Sequence, residues 1–386
     1  MHCLVIASWF PNSANPLNGI FFQEQARALK EAGITIGLVT PYLRSIRESG
    51  PWLAWHPVKQ SVHGYPVYAF EGRNWFPRPR GLITPWFRHR ILKRLIRDYI
   101  DDHGRPDIVH AHSAVYLEGL AEILSELSLP YVITEHCSVF ITGNRNARER
   151  QQANAVFQGA KKVISVGKGL KAQLEKDYPV ISGKSLLIPN IVNQGFFDQP
   201  LLETESETFR FICVGFLRKI KGQEDLIRAF WQAFSHNPSV CLDLVGDGLE
   251  RARLERLVAE LGLTNQVTFH GLLGQSQVMT LLQQSDAFVL ASHNETFGVA
   301  IVEAFASGLP VVATRTLGAS ELVNASNGYL SAPQNPDDLS VAMKKMVASI
   351  DRFDSYQLRN DCYQQFSEYR VTQQLIHLYQ QVIDNQ

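Results

Sequence analysis

The chain has 386 residues, 45% of them hydrophobic and 19% charged, with 37 Lys or Arg balanced by 37 Asp or Glu. That length suits two domains, each able to bury its own core, and the ordinary composition excludes a disordered or collagen-like chain. Zero net charge argues against bulk binding to nucleic acid, provided that the charge is evenly spread.

The first apolar run, residues 3–7, is short and has no basic n-region before it, so no secretory signal is predicted. A loop at 11–18 ends at Gly19, just before an amphipathic helix with Phe22, Ala26 and Leu29 on its inner side. Trp9 and Phe10 read as core packing. A glycine at a helix start lets backbone approach an anion. Further runs lie at 34–39, 67–70, 108–111, 131–134, 163–166 and 186–188. Near-continuous apolar runs separated by helical patterns predict parallel sheets covered on both faces, and hence doubly wound α/β domains. His110 and His112 close the run at 108–111; His110 reads as structural and His112 as a residue facing the ligand cleft. No Cys/His cluster completes a tetrahedral set around them, so no metal is predicted. Five cysteines, an odd number without CxxC spacing, point to a reducing cytosol and no disulfide framework. No run is long enough for a transmembrane helix.

The rhythm breaks at 189–208, PNIVNQGFFDQPLLETESET, which is polar and rich in turn residues. The predicted domains are therefore 1–190 and 191–370. The fold expected is two doubly wound, Rossmann-like α/β domains facing a cleft, with ligands outside the carboxyl ends of the strands. In the second half, runs at 209–214, 240–245, 267–269, 287–290 and 311–313 each deliver a motif at their end. Gly215 follows the first, and Lys221 lies in a KG pair shortly after. Gly246-Asp247-Gly248 follows the second and makes a tight turn that leaves backbone exposed beside a flat group. After the fourth come Glu295 and then Phe297-Gly298-Val299, which open a helix whose amides form an anion site. Glu303 sits inside the apolar stretch AIVEAFA; burying a carboxylate is costly unless it is satisfied, by ribose hydroxyls or by a nearby lysine.

SHNETFGVAIVEAFASGLPVVAT, with Glu295 and Glu303 separated by seven residues, resembles the signature of glycosyltransferase family 4, retaining enzymes of the GT-B fold. IPNIVN at 188–193, VGFLRKIKG at 214–222, LVGDG at 244–248, VTFHG at 267–271 and QQSDAFVLAS at 283–292 are similar to the family's other motifs, in the same order. The resemblance implies transfer of a sugar from a UDP- or GDP-linked donor to a hydroxyl acceptor, without a metal or resident cofactor. It implies that Glu303 binds the ribose, that Glu295 contacts the donor sugar, and that the amides of Phe297, Gly298 and Val299 hold the diphosphate. Lys221 is the expected diphosphate cation, Gly215 part of the phosphate-binding turn, and Gly246 and Gly248 the turn beside the base. His136, after the run at 131–134, matches a histidine near the donor's reacting centre, and Gly19 matches a glycine near the diphosphate in members that build bacterial surface polysaccharides. Where the family often has arginine after the glycine this chain has Phe216, and Arg218 is the candidate replacement. Gly318 and Glu321 fall where the family has a glycine-rich turn. Residues 371–386 are expected to form a helix that crosses back to the first domain.

Residues 72–97 carry eight Arg or Lys and no acid, together with Trp75, Phe76, Trp86 and Phe87. Within them, Ile91, Leu92, Leu95 and Ile96, with Tyr99 and Ile100 beyond, share one helical side. This reads either as a surface helix or as a contact with anionic membrane or a lipid-linked or glycan acceptor, on a cytoplasmic protein peripheral to the membrane. Nucleic acid is not an expected partner. Two other functions share the motifs: a nucleotide-sugar epimerase on the same fold, which needs no acceptor, and a non-catalytic partner subunit that binds sugar nucleotide or lipid. Polysaccharide, lipopolysaccharide or glycolipid synthesis is the expected setting.

Overall fold

The apolar runs of the first half pair side by side as strands. A computed structural model describes residues 1–11, 18–45, 55–74, 83–143, 145–201 and 208–385. Most of the 11–18 loop, Trp75, Phe76, Arg78 and Arg80, and the acidic stretch at 202–207 lie outside the described residues. The chain divides into two compact units, Met1–Ile191 with Val371–Gln386, and Val192–Arg370.

The first unit runs β1 (His2–Ala7), α1 (Ile20–Glu31), β2 (Thr35–Thr40), β3 (Arg44–Ser45), β4 (His56–Val62), β5 (Tyr65–Glu71), β6 (Arg73–Asn74), α2 (Ile83–His103) and β7 (Ile108–His112). It continues with α3 (Leu120–Glu126), β8 (Tyr131–Glu135), α4 (Val139–Thr142), α5 (Ala147–Gly159), β9 (Lys162–Ser165), α6 (Lys168–Asp177) and β10 (Ser185–Leu187). Eight strands form one sheet in the order β10-β9-β8-β7-β1-β2-β5-β4, and β3 and β6 pair apart from it. All neighbours in the large sheet are parallel except β4 and β5. Side chains alternate between its faces. Cys3, Val5 and Ala7 of β1 and Ile36 and Leu38 of β2 share a core with Phe22, Ala26 and Leu29 of α1. The opposite face is met by α2: a Cβ at Gly37 would lie 2.1 Å from the Tyr99 ring and hydroxyl, so only glycine admits that helix. Ile91, Leu92, Leu95, Ile96 and Tyr99 are buried, as the helical side predicts.

The second unit runs α7 (Gln194–Asp198), β11 (Phe209–Val214), α8 (Gln223–Phe234), β12 (Val240–Val245), α9 (Arg251–Glu260), β13 (Val267–Gly271), α10 (Gln275–Gln283) and β14 (Ala287–Leu290). Then follow α11 (Val299–Ala306), β15 (Val311–Thr314), α12 (Leu317–Leu322), β16 (Gly328–Ser331), α13 (Pro336–Ala348), α14 (Ser355–Phe366) and α15 (Glu368–Asp384). Its six strands are all parallel, in the order β13-β12-β11-β14-β15-β16. Helix α15 starts in this unit and returns to the first, where Val371, Leu375, Leu378, Tyr379 and Val382 join the core beside α1.

Several elements depart from the sequence expectation, the two-residue strands β3 and β6 among them. Strand β4 pairs antiparallel at the sheet edge and is polar, with Lys59 and Gln60 exposed, so it lacks an apolar run. Strand β16, Gly-Tyr-Leu-Ser, is a second edge strand outside the predicted runs. The expected glycine-rich turn around Gly318 and Glu321 is instead helix α12, capped by the Thr316 side chain, which accepts from the Ala319 amide. Among the described residues no helix is long and apolar enough to cross a membrane.

Candidate active site

In an open parallel sheet the loops after two neighbouring strands diverge where the strand order reverses, and the gap between them is the natural ligand site. In the second unit that point falls between β11 and β14. The loop after β11 carries Gly215 to Arg218 and then a 3-10 turn, Lys219–Lys221. Gly222 follows at φ +66°, and a Cβ there would lie 2.0 Å from the Ala291 carbonyl oxygen, so glycine alone lets this turn pass the end of β14. From the other side the loop after β14 brings Glu295. Lys221 Nζ donates to Glu295 Oε1 at 2.5 Å, and Ser292 Oγ donates to the same oxygen at 2.9 Å. The pair is largely shielded, with the lysine side chain 27% and the glutamate 14% exposed.

Several residues that the sequence did not single out hold this clasp. The His293 amide donates to the Ile220 carbonyl at 2.8 Å, and His293 Nε2 meets Asp225 Oδ2 at 2.7 Å, tying the β14 loop to the turn and to the first turn of α8. Thr314 Oγ1 donates to the Ser292 carbonyl at 2.5 Å, and the Gly318 amide to the Glu295 carbonyl at 2.9 Å. A Cβ at Gly318 would lie 2.3 Å from the Phe297 carbonyl oxygen, which gives that glycine a packing role. Beyond Glu295, Gly298 adopts φ +97° and caps α11, whose first residue is Val299. The amides at the start of such a helix carry partial positive charge, and here the Ile301 amide already donates to the Gly298 carbonyl at 2.9 Å. Phe297 is buried with its ring 5.7 Å from that of Phe366, and Glu303 lies half-buried one turn into α11.

Gly246 and Gly248 bring the β12 loop onto the β11 loop. A Cβ at Gly246 would lie 2.1 Å from the Gly215 carbonyl oxygen, and one at Gly248 would lie 2.3 Å from that of Leu217. The Leu217 amide donates to the Asp247 carbonyl at 3.0 Å across the same seam. Arg218 is exposed, with its guanidinium 5.1 Å from the Phe216 ring centroid, so the residue that replaces the expected arginine supports one two positions on.

The first unit reverses its order between β1 and β7, and polar residues gather there too. Ser8 Oγ lies within hydrogen-bond reach of the carbonyls of His112, Ser113 and Val115, at 2.6 to 3.0 Å. Glu135 is fully buried and accepts from Ser113 Oγ and the amides of Ala114, His136 and Cys137, all at 2.8 to 2.9 Å. Burial raises its pKa, and the hydrogen bonds oppose the shift. His110 and His112 stack 4.2 Å apart, and His112 Nδ1 meets His136 Nε2 at 3.1 Å. His110 is held between Tyr379 Oη and Thr134 Oγ1, at 2.5 and 2.7 Å, which fits its structural reading. Burial lowers the pKa of His110 and of His136 to about 3, and that of His112 well below its ordinary value with help from its histidine neighbours. His112, expected to face the ligand, is instead enclosed at 1% exposure because Phe22 of α1 covers it. His136 is 9% exposed and packs against Phe21 and Phe22. Gly19 caps α1 at φ +75°, with Trp9 so close that a Cβ would lie 2.8 Å from its ring. Among the described residues no His, Cys, Asp and Glu group has metal-binding geometry.

Family models match both halves of the chain: residues 19–195 match Glycosyltransferase Family 4, and residues 197–365 match Glycosyl transferases group 1. The chain belongs to this glycosyltransferase family. The glycosyltransferase is 26% identical over 370 residues to the putative teichuronic acid biosynthesis glycosyltransferase TuaC of Bacillus subtilis (strain 168), covering 89% of each chain. It shares its fold with sucrose-phosphate synthase from Thermosynechococcus elongatus, at a TM-score of 0.80 and 21% identity over 100% of both chains. A structure of Anabaena HepE in complex with UDP and glucose is similar at a TM-score of 0.74 and 20% identity, covering 99% of this chain and 100% of that one. These likenesses place the two parallel-sheet units in the GT-B fold class.

Proposed function

We propose that this glycosyltransferase moves a sugar from a nucleoside-diphosphate donor to a hydroxyl on a glycan or lipid-linked acceptor, with retention of anomeric configuration. The observation that carries the reading is the meeting of Lys221, Glu295 and the α11 N-terminus at one strand-order reversal. As the anomeric carbon–oxygen bond to the diphosphate breaks, its electron pair stays on the leaving phosphate oxygen, while the acceptor oxygen bonds to that carbon and its proton passes to the departing phosphate oxygen. An ammonium and the amides at the α11 N-terminus stabilise the charge that builds on the leaving group. Glu303 takes the ribose hydroxyls and Glu295 the hydroxyls of the donor sugar. Gly215 and Arg218 line the phosphate turn, and the laced loops at Gly246 and Gly248 present backbone to the base. His136 and Gly19 of the first unit are proposed to serve the sugar and the diphosphate. An uncharged His136 does so as a hydrogen-bonding group and not as a cation.

The donor is proposed to be UDP- or GDP-linked, with no cofactor or metal taking part. HepE structures in complex with UDP and with UDP-glucose make the uridine nucleotide the first to test. The name of TuaC, teichuronic acid biosynthesis, supports a setting in polysaccharide, lipopolysaccharide or glycolipid synthesis. The protein is proposed to act in the cytoplasm, with the basic side of α2 meeting anionic membrane. In that helix Arg90 packs 4.8 Å from the ring of Trp86, which is 53% exposed. Lys93 and Arg94 are already paired, with Glu126 and Asp98.

The test is a thermal-shift series with UDP, GDP and ADP. The cognate diphosphate should raise the melting temperature of the native protein, and Glu303→Ala should abolish the rise. An unchanged rise in that variant would falsify the ribose assignment.

A further inference from the structure

The site holds its two principal charges against each other. Lys221, proposed to grip the diphosphate, and Glu295, proposed to grip the donor sugar, form one shielded ion pair at 2.5 Å. Paired in this way, the lysine's charge is largely offset, and a diphosphate meeting the lysine would also meet the carboxylate's charge. The arrangement is built and not incidental. Ser292 fixes the bonded oxygen of Glu295, and the Gly318 amide fixes the Glu295 backbone. His293 with Asp225 fixes the turn that carries Lys221.

We infer that Glu295 is the residue by which this site tells a sugar-bearing donor from the spent nucleoside diphosphate. The inference rests on the donor reading given above. Sugar hydroxyls donate hydrogen bonds into the carboxylate and replace the ammonium there, so Lys221 is freed to meet the phosphates. A bare diphosphate brings no such donors; it must pull Lys221 away and then lie beside an unpaired carboxylate. The donor therefore opens the clasp and the product does not. Once the sugar has left, Glu295 takes Lys221 back and weakens the hold on the diphosphate. Product inhibition is reduced by the same carboxylate that orients the substrate, and the two tasks need opposite partners at different moments of the cycle.

The claim gives a sign that a simple sugar-binding role does not. UDP, GDP and ADP are titrated by calorimetry into the native protein and into Glu295→Gln, Lys221→Gln and the double variant, with melting temperatures as the folding control. Gln keeps an oxygen for Lys221 and Ser292 but removes the charge. Glu295→Gln is expected to bind the cognate diphosphate about three- to tenfold more tightly than the native protein, to slow release of product, and to bind the corresponding diphospho-sugar no more tightly. In the Lys221→Gln background, Glu295→Gln should change diphosphate affinity by less than about twofold. If Glu295→Gln binds diphosphate equally or more weakly while Lys221→Gln still weakens it, the discrimination role is overturned and the nucleotide site stands. If Lys221→Gln leaves affinity unchanged, or no diphosphate binds the native protein, the underlying donor reading fails instead.

Discussion

The two units each gather polar residues where their strand order reverses, and they satisfy them in opposite ways. In the first, Glu135 and three histidines are buried, bonded to neighbours and, for the histidines, held uncharged. In the second, a lysine, two carboxylates and a histidine form pairs that remain partly open to water. A buried, bonded network rigidifies a loop and leaves little to offer a ligand beyond a hydrogen-bonding edge such as that of His136. An accessible ion pair can exchange partners. The comparison teaches that the same topological position can be used for architecture or for grip, and that burial separates the two.

The sharpest break of that contrast is Glu135→Ala. It leaves one hydroxyl and three amides without their acceptor and should cost about 3–5 kcal/mol of stability in urea unfolding, while the surviving folded protein still binds nucleotide. Lys221→Ala should do the reverse. Steady-state transfer should fall about 10²- to 10³-fold with little change in the unfolding midpoint, and a loss of transfer no larger than the loss of nucleotide affinity would remove its role at the breaking bond.

Acid should also separate the units. His110 and His136 have folded pKa values near 3, below the ordinary 6.5, so the unfolded chain binds more protons between those limits. Their contribution is present above pH 6.5 and is lost as pH falls towards 3, by about 1.4 kcal/mol per pH unit for each histidine. Glu135, with a raised pKa, works in the other direction with a single proton. Denaturant unfolding from pH 7 to 4 measures the slope, and His110→Gln should flatten it. A smaller effect is expected from His293→Ala, about 1 kcal/mol in thermal or chemical unfolding. Smallest is the surface contrast on α2, where Arg90→Glu should weaken binding to anionic vesicles about fivefold, and added salt should do the same to the native protein.

Much of the architecture was legible because local patterns carry it. The spacing of Phe22, Ala26 and Leu29 identifies the buried side of α1, and the apolar runs locate the central strands. Strand β4 was not legible, because an edge strand has no need of an apolar face on both sides. Glu295 and Lys221 could each be named, but not their bond: 74 residues separate them, and the strand order that puts β11 beside β14 is not the order of the sequence. Ser292, Thr314 and Asp225 were missed for the same reason, since each acts through a neighbour that only folding supplies. Glu135 did leave a signal, an acid closing an apolar run, although nothing nearby in sequence shows how many donors would surround it. His112 looked available because its strand ends at the ligand side; Phe22, 90 residues earlier in the chain, covers it. The departure from the expected arginine at Phe216 was legible, but not the stacking of Arg218 upon it.

The return of α15 to the first unit sets an order of events on the ribosome. The strands β1 to β10 emerge early, yet the face of their sheet beside α1 includes Val371, Leu375 and Tyr379, which are translated only after the whole second unit. At about 5–20 residues per second, the nascent first unit waits many seconds with that apolar strip bare and His110 without its tyrosine. The second unit, contiguous in sequence, can close first. Chaperone dependence during synthesis should therefore follow the first unit, although it is the first to leave the tunnel.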